Sequence, residues 1–134
     1  MEILRGETLG LRTFEDIVRV RQAVRAWMVE MQFSLVDQTK MVTAASELAR
    51  NTIDYGAGGS ARLEALADGG RSGLRLSFED HGPGIPDIER ALKDGYTTSG
   101  GLGLGLGGSK RLVSEFDIRS VPGEGTRVTV VRWR

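Results

Sequence analysis

The sequence predicts an α+β two-layer sandwich, and three patterns carry that expectation. Ile17, Val20, Val24, Trp27 and Met31 recur at helical spacing, as do Met41, Ala45, Leu48, Thr52 and Tyr55. Leu74, Leu76 and Phe78 alternate with Arg75, Ser77 and Glu79, the signature of a strand with one buried face. Helices and strands are also grouped rather than strictly alternating, which argues against a parallel doubly wound sheet.

Taken in order, residues 2–12 read as an edge strand or a hairpin interrupted by Gly6. The first helix follows. Ser34, with Asp37 three residues on, marks the start of the second helix with a short capping box. That helix stops at Gly56-Ala-Gly-Gly59, a suitable C-cap and turn. Ala61, Leu63 and Ala65 suggest a strand, and Asp68-Gly-Gly70 turns it into the next one, which ends at Asp80. Residues 86–93 form a short helix with Pro86 at its first position. Residues 95–103 read as a long loop, and residues 104–115 as a helix. Two closing strands, 116–121 and 126–133, flank the turn Pro122-Gly-Glu-Gly125. No internal repeat or interdomain linker is visible, so residues 1–134 are expected to form a single domain.

Composition excludes several functions. Eighteen basic and eighteen acidic residues give zero formal net charge. Neither nucleic acid nor a membrane is therefore an expected partner. Arg19, Arg21 and Arg25 cluster, but a solvated helix face accounts for them. The absence of cysteine removes disulfides, zinc thiolates and thiol nucleophiles. The one histidine, His81, rules out a multi-histidine metal cluster and makes a Ser-His-Asp hydrolase a poor fit. No signal peptide opens the sequence and no apolar run approaches the ~20 residues of a membrane span. A cytoplasmic location is expected.

Four short motifs hold the polar chemistry. Glu47 and Asn51 are four apart and share one helix face. A carboxylate there can accept a proton, and an amide oxygen one turn along can ligate Mg²⁺, which takes its remaining ligands from phosphate and water. For the pair taken alone, an ordinary polar face shared with Lys40 and Asp54 is the simpler explanation. Asp80 ends an apolar strand just before Gly82-Pro-Gly84. A carboxylate there can accept from an exocyclic amino group and so read adenine, whereas guanine would present a carbonyl. A plain Asp-initiated turn is the alternative. Gly100-Gly-Leu-Gly-Leu-Gly-Leu-Gly-Gly108 leads into Ser109-Lys-Arg-Leu-Val113. Bare backbone N–H groups at a helix start attract phosphate, and Lys110 or Arg111 could add charge. The stretch is neither a Walker A loop nor a dinucleotide fingerprint. Its alternating leucines also separate it from a solvated linker. Thr126 opens the last strand, where its hydroxyl could bond near Asp80.

Read in this order, the motifs resemble the GHKL, or Bergerat-fold, family of DNA gyrase, Hsp90, histidine kinases and MutL. Glu47-Leu-Ala-Arg-Asn51 resembles its N-box and Asp80-His-Gly-Pro-Gly-Ile85 its G1 box. Gly101-Leu-Gly-Leu-Gly-Leu106 resembles its G2 box, and Gly123-Glu-Gly-Thr126 its terminal Gly-x-Gly-Thr. The resemblance implies a mixed sheet covered by helices on one face. No dimerisation helix pair, spare histidine or transducer domain is evident. A bare module of this size resembles the bacterial anti-sigma-factor-type serine/threonine kinases, which phosphorylate STAS-domain partners, and Ser46-Glu-Leu-Ala-Arg-Asn51, Gly95-Tyr-Thr-Thr-Ser-Gly-Gly-Leu-Gly-Leu-Gly-Leu106 and Lys110-Arg-Leu-Val-Ser-Glu-Phe116 resemble most those of the stressosome switch kind.

That resemblance implies MgATP as the cofactor. Glu47 becomes the general base and Asn51 the Mg²⁺ ligand. Asp80, assisted by Thr126, reads the adenine amino group, while Gly82, Gly84 and Ile85 shape the base pocket. Gly101, Leu102, Gly103, Leu104, Gly105 and Leu106 form a cover over the phosphates. Where many histidine kinases carry a lysine three residues after the asparagine, this chain has Asp54. Arg50 or Lys110 would then neutralise the triphosphate. The implied partners are a STAS-domain substrate, either a stressosome scaffold or an anti-anti-sigma factor, and a phosphatase or other output enzyme activated by binding. Alternatives are an anti-sigma kinase that holds a sigma factor directly, a non-catalytic module stabilised by nucleotide, and a stand-alone ATPase.

Overall fold

A computed structural model describes residues 1–92 and 105–134. Strand β1 (Glu2–Leu11) leads into helices α1 (Phe14–Glu30) and α2 (Leu35–Gly56). Strands β2 (Gly59–Asp68) and β3 (Arg71–Asp80) follow, then the short helices α3 (Ile88–Ala91) and α4 (Gly105–Arg111), then β4 (Glu115–Val121) and β5 (Gly125–Trp133).

The five strands form one sheet in the order β1-β2-β3-β5-β4. Among the described residues every pairing is antiparallel, so the expected mixed sheet is not seen there. The reason is topological. β3 and β4 run the same way, but β5 inserts between them and pairs antiparallel with both. β1 is one continuous edge strand with a register shift between Ile3 and Arg5, not a hairpin. Gly6 does not interrupt it. The Arg62 guanidinium occupies the space beside Gly6, where a Cβ would meet its Nη2 at 2.4 Å.

Alternation along the strands makes one sheet face the core. Leu63, Leu74, Leu76 and Val130 are wholly buried there beneath Val20 and Val24 of α1 and Met41 and Leu48 of α2. Ala44, Ala45 and Ala49 of α2 are fully buried. Their short side chains let that helix lie close to α1 and across β1, β2, β3 and β5. On the other face, Arg71 stacks on Trp133 at 4.0 Å, and Glu64 sits between Arg62 and Arg75.

The helix starts follow local chemistry. Asp16 Oδ2 accepts from the backbone N–H groups of Arg12 and Thr13 ahead of α1. Ser34 Oγ accepts from Asp37 N–H at 3.1 Å and caps α2, as its spacing predicts. Asp87, not Pro86, opens α3, because its carboxylate accepts from Arg90 N–H. α4 ends at Arg111, short of the expected 115, because Ser114 N–H already bonds Val131 O and commits the chain to the sheet. The expected loop over 95–103 lies outside the described residues. No described helix is long and apolar enough to cross a membrane.

Candidate functional site

Helix α2 builds one wall of a cavity of about 230 Å³. Leu48, Asn51, Thr52 and Tyr55 line it, the i, i+3, i+4, i+7 stripe of a single helix face. Thr52 gives its hydroxyl proton to Leu48 O at 2.9 Å and so presents mainly its methyl group. Asn51 makes no hydrogen bond to a described residue, which leaves its amide available at the cavity wall. Glu47, one turn earlier, is 6% exposed and off the lining. Its carboxylate likewise has no partner among the described residues.

The polar end of the cavity is Asp80. Its Oδ1 accepts from Gly82 N–H at 2.9 Å and from Thr126 N–H at 3.2 Å. Oδ2 makes no hydrogen bond to a described residue. The carboxylate is therefore anchored through one oxygen, and the other, beside Gly56, accepts no hydrogen bond from a described residue. The expected link to Thr126 exists, but through its backbone N–H; the hydroxyl turns instead to Ser120 Oγ at 2.9 Å. The hydroxyl turns there because Thr126 and Ser120 face each other directly in the β4–β5 register.

The glycines act by close approach. A Cβ on Gly82 would lie 2.7 Å from Gly56 Cα, so Gly82 shapes the pocket from behind rather than lining it. Gly84 has φ +80° and packs against Val121 O, where a Cβ would come within 2.7 Å. It lines the cavity with Pro83, Ile85 and Pro86. Phe78, Ala91, Leu106 and Val128 complete an apolar slot.

Two expected binding residues, Arg50 and Lys110, stand off the cavity lining. Arg50 pairs with Asp54 at 3.5 Å and lies over the Phe14 ring at 5.3 Å, drawn toward α1 and off the cavity lining. Lys110 is exposed on α4 and does not line the cavity. Gly105 begins α4. Gly101, Leu102, Gly103 and Leu104 lie outside the described residues.

An apolar slot ending in a half-anchored carboxylate suits a flat heteroaromatic ring bearing an amino group. Among the described residues no three His, Asp or Glu side chains converge as a metal site. The Asn51 amide, which bonds no other described residue, is the cavity side chain that could hold a Mg²⁺ ion taking its other ligands from phosphate and water. Sequence reasoning passed over Ser120 and over Gly56's role against Asp80. Ser120 carries no local signal, because its importance arises only from strand register. Tyr55 is read as helix face, yet it lies on the cavity side of that stripe.

Comparison with known proteins gives the family and the fold. Residues 36–134 match the family model described as histidine kinase-, DNA gyrase B-, and HSP90-like ATPase. Serine/threonine-protein kinase RsbT of Bacillus subtilis is 50% identical over 118 residues, covering 88% of this chain and 89% of that one. An anti-sigma F factor of Thermoanaerobacter is 27% identical, covering 84% of this chain and 82% of its own. Among solved structures, the RsbU and RsbW domains of a Mycobacterium tuberculosis protein superpose with a TM-score of 0.64 at 22% identity. That match covers 97% of this chain and 33% of the other.

Proposed function

This chain belongs to the family of histidine kinase-, DNA gyrase B- and HSP90-like ATPases, on its serine/threonine-protein kinase branch, and we propose that it uses MgATP to phosphorylate a STAS-domain partner and acts by switching partners. The observation that carries this reading is the cavity itself. It brings the unengaged Asn51 amide and the half-anchored Asp80 carboxylate to the walls of one apolar slot, with Glu47 one helical turn from Asn51.

Each residue then has a physical task. Asp80 Oδ2 accepts from the adenine amino group while Oδ1 stays fixed by the backbone. Gly84, Ile85 and Val128 hold the ring and exclude water. Asn51 supplies an amide oxygen to Mg²⁺, which when bound neutralises phosphate charge. Glu47 accepts the proton of the partner's serine or threonine hydroxyl as its oxygen attacks the γ-phosphorus and the bond to ADP breaks. Lys110 could contribute charge toward the phosphates only by movement of its side chain from the solvent-facing side of α4. The transferred group adds nearly two negative charges to the partner, enough to disfavour a surface fitted to the neutral hydroxyl and release the kinase. A phosphatase or similar output enzyme that is activated by the freed kinase completes the cycle.

The deciding experiment mixes Glu47→Ala with ATP and the STAS partner. Retained ATP binding with lost transfer is expected, and undiminished phosphorylation would remove Glu47 as the base. The similarity to an anti-sigma F factor supports a second reading, in which the protein holds a sigma factor directly. Co-purification with a sigma factor rather than a stressosome scaffold would favour it.

A further inference from the structure

Ser120 does not line the cavity, yet its hydroxyl meets three groups beside it, two of them on the lining residues Ile85 and Thr126. Ile85 N–H donates to Ser120 Oγ at 2.6 Å. Thr126 Oγ1 lies 2.9 Å away and Gly125 O 3.3 Å away. A serine hydroxyl has one proton and two lone pairs. All three contacts are satisfied together when Ile85 and Thr126 donate to Ser120 and Ser120 donates to Gly125 O. Nothing of the hydroxyl is left for a ligand, so any effect of Ser120 on binding passes through its neighbours.

Those neighbours form a closed ring. Thr126 N–H holds Asp80 Oδ1, Thr126 Oγ1 meets Ser120, and Ser120 accepts from Ile85. The chain from Ile85 back through Gly82 returns to the same carboxylate oxygen. Asp80 ties the Gly82 end of the 81–85 loop to β5 within this ring, and Ser120 ties the Ile85 end. One further tie, Gly123 N–H to Pro83 O at 2.8 Å, joins the middle of the same loop to the β4–β5 turn, while Ile85 at its end is held by Ser120.

Resting on the kinase reading above, we propose that Ser120 is a positioning residue for nucleobase recognition. It fixes the spacing between the Ile85 wall and the Asp80 carboxylate, and so sets how much binding an exocyclic amino group on the purine contributes.

The test compares ATP with purine riboside triphosphate, which lacks only the 6-amino group, by calorimetric titration of the whole protein. In the wild type, ATP binds more tightly. Ser120→Ala leaves the Ile85 N–H without its acceptor, and ATP affinity is expected to fall roughly ten-fold. The preference for ATP over the des-amino nucleotide should narrow by a similar factor, and Ser120→Thr should restore it. In the absence of nucleotide, the Ile85 amide should exchange with solvent faster in Ser120→Ala. An unchanged ATP preference in Ser120→Ala overturns the proposal even if both affinities fall, because a purely structural role weakens the two nucleotides alike. If Ser120→Ala does not fold, Ser120→Cys, with a weaker acceptor, is read the same way. A wild type that binds neither nucleotide instead overturns the kinase reading, and the Ile85 exchange then decides separately whether Ser120 holds the loop.

Discussion

A Cβ built on Gly56 would lie 2.3 Å from the Cβ of Asp80, so the last turn of α2 and the end of β3 meet with no room for a side chain. This contact sets the width of the cavity, because Asn51 and Tyr55 sit on the helix and Asp80 on the strand. Gly56→Ala forces the two elements apart or rotates the carboxylate. Overpacking of this kind costs about 1–3 kcal/mol. The expected outcome is a lower melting temperature together with at least about ten-fold weaker binding of a fluorescent ATP analogue. Wild-type affinity in a folded Gly56→Ala protein would show that the contact does not shape the site.

Asp80→Asn keeps the side-chain size and can keep both backbone bonds through Oδ1. It removes the charge and places an NH₂ group where the amino group of the ring must be accepted. Hydrogen bonds to charged groups contribute about 1.5–3 kcal/mol, so ATP affinity should fall roughly ten- to a hundred-fold. The melting temperature should change little, because the bonds from Gly82 and Thr126 survive. Calorimetry paired with thermal denaturation separates the two effects.

Helix α2 was legible in the sequence because its period, its Ser34 cap and its glycine end agree. Even there, the left-handed residue after the helix is Ala57, with φ +59°, while Gly56 serves the approach to Asp80. The extent of α4 was less legible. Leu112 and Val113 continue the apolar character of the helix, and only the pairing of Ser114 with Val131 ends it. The candidate site divides in the same way. Asp80 and Asn51 announce themselves through motif spacing, but Ser120 gains its place from a register between strands that no local pattern encodes. Arg50 shows the converse. Its position beside Asn51 suggests phosphate, whereas Asp54 and Phe14 draw it toward α1.

Arg132 joins three parts of the fold. Its Nη2 bonds Asp37 Oδ1 at 2.6 Å and its Nη1 bonds Leu112 O at 3.3 Å, linking β5 to the start of α2 and the end of α4. Both side chains are mostly shielded, at 20% and 23% exposure. Removing one partner leaves a poorly solvated charge, so Asp37→Asn should cost about 1–3 kcal/mol. The double variant Asp37→Asn with Arg132→Met should recover part of that loss, because no charge is then stranded. Urea denaturation of the two single variants and the double variant measures the coupling, and strictly additive losses would argue that the ion pair is idle.

Glu64 gives the fold an acid-sensitive contribution on the face opposite the cavity. Burial pushes its carboxyl group up, but the hydrogen bond and charge of Arg75, at 2.8 Å, and those of Arg62 outweigh burial and hold it below its usual value of 4.5. A carboxyl group lowered on folding binds its proton less readily in the folded state than in the unfolded chain. Its stabilisation is therefore fully present above the unfolded value and is lost as pH falls through the lower folded one. In Glu64→Gln that component is absent at every pH. The stability gap between wild type and Glu64→Gln should be widest near neutral pH, about 1–3 kcal/mol for charge-assisted bonds, and should shrink once the pH drops below about 4.5. Parallel denaturant titrations at pH 7 and pH 3.5 measure it. A gap that stays constant between those pH values would mean that Arg62 and Arg75 do not lower Glu64.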